Sequence, residues 1–147
     1  MDSIDKQLIG LLTQNARMPL KQLSEMVHLS PPAVASRIER LEKLKIISRY
    51  TAVLDPSKLG YSIIAFVNLA MPPQKKGEFA EFVKNCSNVL ECYHVAGAYS
   101  MIMKVCFPTT VELDTFVTLL QNFGKTQTQI VFSAVVSQRE AECHTYE

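Results

Sequence analysis

The sequence predicts an α+β protein in two parts, three short helices followed by a half that alternates strands and helices. Three observations predict it. Through residue 47 the apolar side chains recur every three or four positions, the period that gives a helix one buried stripe. Beyond residue 61, runs with every-second-residue alternation are interleaved with helical runs in the order β-α-β-β-α-β,. Between the halves lies Asp55-Pro56-Ser57-Lys58-Leu59-Gly60, a cluster of turn formers that marks a boundary. The expected division is a helical domain over residues 1–54, a linker over 55–61 and a second domain over 62–147.

Taken in order, Asp2 and Ser3 are candidate caps for a first helix that carries Ile4, Leu8, Leu11 and Leu12 on one face,. Asn15, Arg17 and Pro19 interrupt it. A second helix follows with Leu20, Leu23, Met26 and Val27 at the same spacing. His28 then stands where a turn of this kind usually has glycine and a left-handed backbone, so strain of about 1 kcal/mol is expected there. Leu29 turns inward and Ser30 is placed as an N-cap. Pro31 takes the first helical position, where its missing N–H is not needed. The third helix buries Val34, Ile38 and Leu41 and presents Pro32, Ala33, Ser36, Arg37 and Arg40 outward.

Two helices joined by a tight turn, the second with small residues and arginines on its outer face, form a helix-turn-helix suited to the major groove of double-stranded DNA. Small side chains let the helix approach base edges, and arginine can fork onto guanine or a phosphate. A charged outer face on a lone helix is ordinarily just solvated. Here the turn, the Ser-Pro start and the basic run after it favour DNA. The net charge of +1 conceals a division. Residues 1–54 hold eight Lys/Arg against five Asp/Glu, and residues 55–147 hold seven against nine. Between Arg37 and Arg49 five basic residues outnumber two acidic ones, a modest footprint for a phosphate backbone. Residues 47–54, rich in β-branched and apolar types, are expected to be extended, with Arg49 reaching a phosphate like the wing of a winged helix,. The candidate DNA-binding residues are Ser30, Pro32, Ala33, Ser36, Arg37, Arg40 and Arg49.

In the second half, residues 62–70 read as a strand with Ile63, Ala65, Val67 and Leu69 on one face and Ile64 and Phe66 on the other. Residues 74–87 place Phe79, Phe82, Val83 and Cys86 at helical spacing. Residues 89–96 and 100–107 are extended runs meeting at Gly97-Ala98-Tyr99. Residues 112–123 are helical through Leu113, Phe116, Val117 and Leu120, and 126–136 alternate Ile130, Phe132, Ala134 and Val136 against smaller or polar partners. The order is that of a ferredoxin-like sandwich, one antiparallel sheet with two helices on one face. Several strands are apolar on both faces, so the uncovered face is expected to meet a second copy and make a homodimer. A dimer also spaces two reading helices for successive major grooves.

No catalytic residue, metal site or cofactor is expected. His28, His94 and His144 are scattered, and no phosphate-binding glycine loop or nucleophile elbow occurs,. Cys86, Cys92, Cys106 and Cys143 have no paired spacing and read as buried free thiols of a cytoplasmic protein. No signal peptide or membrane-spanning run is evident,.

The order Ile4-Asp5, Leu23-Ser24, Leu29-Ser30-Pro31, Val34, Arg37-Ile38, Arg40-Leu41-Glu42, Ile46-Ile47, Tyr50-Thr51-Ala52, Pro56 and Leu59-Gly60 resembles the Lrp/AsnC (feast/famine) family of prokaryotic transcription regulators, and the likeness extends over essentially the whole chain. The resemblance implies dimers that assemble further, commonly to octamers. It also implies an amino-acid pocket between neighbouring dimers, lined by the hairpin loop and the segment leading into the last strand. Carried over to this chain, the effector-binding residues are Gly97, Ala98, Tyr99, Ser100, Thr126, Gln127 and Thr128. Gly97 permits close backbone approach, and Ser100, Thr126 and Thr128 supply hydroxyls for a zwitterion. Where many members carry an aspartate to meet the ligand's ammonium group, this chain has Ser100. The alternative reading is a small-molecule-binding or enzymatic ferredoxin-like domain with a protein-binding helical N-terminus.

Overall fold

The computed structural model describes residues 1–141; Cys143 and His144, discussed above, lie outside the described residues. The described residues form two compact units, 1–53 together with 137–141, and Leu54–Val136. Residues 137–141, expected in the second domain, therefore group with the helical one.

In the helical unit, α1 spans Ser3–Gln14, α2 Leu20–Val27 and α3 Pro31–Lys43. Each starts or stops for a local reason. Asp2 and Asp5 form a reciprocal capping box at the start of α1, with the Asp5 N–H donating to Asp2 Oδ1 at 2.9 Å and the Asp2 N–H to Asp5 Oδ2 at 3.1 Å,. His28 ends α2 in the left-handed region, at φ 55° and ψ 43°, as the sequence predicts. The His28 and Leu29 N–H groups both donate to the Ser24 carbonyl, which satisfies an acceptor the helix end would leave orphaned. Leu8, Leu23, Val27 and Val34 make the buried centre, ringed by Ile4, Leu11, Leu12, Met18, Leu29 and Ile38.

The helical unit departs from the sequence expectation at two places. Leu20 and Met26, assigned to the inner stripe of α2, are exposed. With only two turns of helix, the inner positions fall to Leu23, Ser24 and Val27, and the Ser24 hydroxyl is satisfied by the Lys21 carbonyl at 2.7 Å. Residues 47–54 form no strand. A ladder needs a partner, and none is offered among the described residues.

In the second unit a 3-10 turn, Pro56–Leu59, closes on Gly60 at φ 91°. There follow β1 (Ile63–Ala70), α4 (Lys76–Lys84, entered through a 3-10 turn), β2 (Val89–His94), β3 (Met101–Phe107), α5 (Thr110–Gln121) and β4 (Lys125–Ile130). The strands form one antiparallel sheet in the order β2-β3-β1-β4, the ferredoxin-like arrangement. Register sorts the side chains. Ala65, Val67 and Leu69 stand opposite Val105, Met103 and Met101, and all six are buried with Phe79, Leu113, Phe116, Leu120 and Phe123. Phe79 and Phe82 of α4 meet Phe123 and Phe116 in close ring contacts, from edge-on to stacked.

The last strand is shorter than the expected 126–136. Its pairing with β1 ends at Ala65–Ile130, and a final bond runs from the Val131 N–H to the Ile64 carbonyl at 2.8 Å. Beyond this β1 itself gives out at Ile63, so residues 131–136 have no ladder to join. Of the cysteines, Cys106 is buried, Cys86 half-buried and Cys92 exposed, all with free thiols; the expectation of burial fails for Cys92, which sits on the edge strand β2.

Candidate nucleic-acid interface and effector hairpin

The α2–turn–α3 segment builds its own frame. The Ser30 side chain accepts from the Ala33 N–H at 3.4 Å, and Pro31 and Pro32 occupy the first helical positions. At the far end α3 closes on Lys45, which is left-handed at φ 59°. The Lys45 N–H donates to the Glu42 carbonyl and the Ile46 N–H to the Leu41 carbonyl, both at 2.9 Å, the paired bonds of a Schellman ending. Ser30, Pro32 and Ser36 are exposed and Ala33 half-buried, so the first turns of α3 offer a surface of small side chains.

The arginines are placed differently from the sequence expectation. Arg37 and Arg40, expected to face away from the fold, turn toward the start of α1. Arg37 Nη1 donates to Asp2 Oδ2 at 2.6 Å and to Asp5 Oδ1 at 2.9 Å, while Arg40 Nη2 donates to Asp5 Oδ2 at 2.5 Å. The Asp5 side chain has no solvent exposure, whereas Arg37 keeps 28% and Arg40 53%. Burial pushes the Asp5 carboxyl up, but the Asp2 N–H and the two guanidiniums outweigh it and hold the group below the usual carboxylate range,. Asp2 is likewise lowered, chiefly by its bond from Arg37. The sequence offers Asp2 as a candidate cap; the use of Asp2 and Asp5 as an arginine anchor is not legible without the α1–α3 packing.

Arg49 is exposed and has no carboxylate partner among the described residues. With Glu42, Lys45, Ile47, Ser48 and Tyr50 it lines a cleft of about 280 Å³ beside the end of α3. The Tyr50 hydroxyl donates to Glu42 Oε1 at 2.8 Å; burial first, and this bond second, push its pKa up to about 12. Lys45 and Ser48 were not among the sequence candidates.

The hairpin between β2 and β3 is held by the Val95 N–H to the Ser100 carbonyl at 2.9 Å. Gly97 is exposed, at φ 132°, a conformation that side chains resist. Ala98 is exposed beside it and Tyr99 half-buried. The Ser100 hydroxyl bridges backbone, donating to the Leu69 carbonyl and accepting from the Met71 N–H, both at 3.2 Å. Thr126, Gln127 and Thr128 lie on β4 opposite Leu69, Asn68 and Val67. Since Leu69 also pairs with Met101, Ser100 and Thr126 share one end of the sheet with β1 between them, roughly 10 Å apart by strand spacing. Thr126 and Thr128 are on the helix-covered side and Gln127 on the open side, so the three do not converge.

A helix-turn-helix reading unit joined to a ferredoxin-like sandwich is the build of a two-part DNA-binding regulator. Residues 1–42 match the AsnC-type helix-turn-helix domain and residues 64–141 the Lrp/AsnC ligand binding domain. The chain belongs to the Lrp/AsnC family of transcriptional regulators. It is 31% identical over 134 residues to the HTH-type transcriptional regulator FL11 of Pyrococcus furiosus, with 89% of each chain covered. The structure of Bacillus subtilis LrpC superposes with a TM-score of 0.88 at 27% identity, covering 94% of this chain and 99% of that one. A Neisseria meningitidis transcriptional regulator in complex with L-Met gives 0.87 at 26% identity, covering 93% of both.

Proposed function

We propose that this regulator reads duplex DNA with the exposed first turns of α3, works as a homodimer able to assemble to an octamer, and is tuned by an amino acid or a related small metabolite. The observation that carries the DNA reading is the surface of Ser30, Pro32, Ala33 and Ser36 at the start of a helix closed at both ends. Side chains this small admit the backbone to base edges, and Arg49 supplies a phosphate contact at the flank. Arg37 and Arg40 belong to the same face through their unspent nitrogens. The chain acts as a regulator in the cytoplasm and not as an enzyme, in keeping with relatives named as regulators. Fluorescence anisotropy on a duplex selected from a random library tests this. Ser36→Glu, which sets a carboxylate against the groove, is expected to weaken binding at least about tenfold; unchanged binding sinks the reading.

The effector reading rests on the open Gly97 hairpin and on the likeness to a regulator in complex with L-Met. L-Methionine heads the panel of amino acids to try by thermal shift. A rise in melting temperature that Gly97→Val removes is the expected result, and a flat response to the whole panel counts against it.

A further inference from the structure

We propose that Asp2 and Asp5 are positioning residues for DNA recognition: they cancel the charge of Arg37 and Arg40 and aim the unspent guanidinium nitrogens, so that α3 discriminates among bases while attraction to phosphate falls to other cations. The proposal rests on the reading of α3 given above and assigns its arginines a role opposite to that of phosphate binders.

Two guanidiniums face two carboxylates in this cluster, with three arginine contacts and two backbone N–H bonds converging on the solvent-free Asp5 and its neighbour Asp2. The local charge is therefore near zero. Arg37 spends Nη1 on both acids and Arg40 spends Nη2 on Asp5, which leaves Nε and one terminal nitrogen on each. A long side chain pinned at one nitrogen has few rotamers left, and a planar fork held in this way meets a base edge at a fixed angle. Carboxylates so close by also repel phosphate, and long-range attraction needs unpaired charge. That charge is present elsewhere in the unit: Lys21, Lys45 and Arg49 have no carboxylate partner among the described residues. Nor does the capping box need the arginines, because its two reciprocal bonds are made by backbone N–H groups.

Asp2→Asn is the cleanest test, since asparagine caps a helix as well as aspartate does while the charge is lost. Asp5→Asn is the stronger variant, with a thermal melt to verify folding; if it fails to fold, Asp2→Asn decides alone. Binding is measured across salt concentrations on the duplex selected by the wild type and on poly(dI-dC). The preference for the selected duplex is expected to fall about tenfold. On poly(dI-dC) the plot of log affinity against log salt is expected to steepen by about 0.9 for each arginine released to a phosphate. A parallel loss on both duplexes at unchanged slope, or no change on either, overturns the proposal. A wild type that selects no duplex overturns the DNA reading itself and the proposal with it.

Discussion

A carboxylate shut away from water survives at residue 5 because each oxygen is spoken for: Oδ1 by Arg37, Oδ2 by Arg40 and the Asp2 N–H. The folded state thus holds the Asp5 and Asp2 carboxyls below the usual carboxylate range. A group with a depressed folded pKa stabilises the fold above its unfolded pKa, and that contribution is lost as pH falls through the folded value. Urea midpoints of the protein, followed by helical circular dichroism, are expected to hold down to about pH 4 and to drop below it. Asp5→Asn should cost about 2 kcal/mol at neutral pH, typical of bonds to a charged group, and should flatten the acid limb. A limb as steep in the variant as in the wild type would show that other carboxylates govern it.

At the scale of elements, much of the chain was legible because the signals are local. The Ser30–Pro31 start of α3, the left-handed His28 and the Asp2 cap each depend on a few neighbouring residues. What was not legible depends on residues far apart in sequence. The alternation through 126–136 continues past Ile130, but a strand exists only as long as its partner does, and β1 begins at Ile63. Likewise nothing near Arg37 announces that its partner is Asp2, 35 residues earlier. The candidate site is legible to the same degree: the small-residue face of α3 is where the helical period puts it and strand alternation parts Thr126 and Thr128 from Gln127, whereas the arginine directions follow from packing. Gly124, which the sequence did not single out, joins α5 to β4 under a tight constraint. A Cβ there would stand 2.0 Å from the Ala70 carbonyl oxygen and 3.0 Å from Met71 Cα. Both are backbone and cannot swing aside, so Gly124→Ala is expected to cost about 3 kcal/mol or more, read as a lowered melting temperature. A melt within a degree of wild type would mean that the turn yields easily.

For the whole molecule, the face of the sheet away from α4 and α5 is the feature still to be accounted for. Register places Phe66 between Lys104 and Gln129, with Ile102 beside Asn68 and Tyr93 beside Ile102. Phe66 is 36% and Tyr93 55% exposed. A second copy laid on this face would bury these rings, and Phe66→Asp is expected to shift sedimentation toward the monomer and to weaken DNA binding with it. An unchanged sedimentation profile would move the contact elsewhere. α2 and α3 end in left-handed closures at His28 and Lys45. α3, capped by Ser30 at its start and stopped at Lys45, can neither gain nor lose a residue by creeping, so its azimuth is locked to the hydrophobic centre. One amino acid inserted among residues 15–19 would therefore be taken up as slack in that connection, and the exposed side chains on the first turns of α3 would keep their phase.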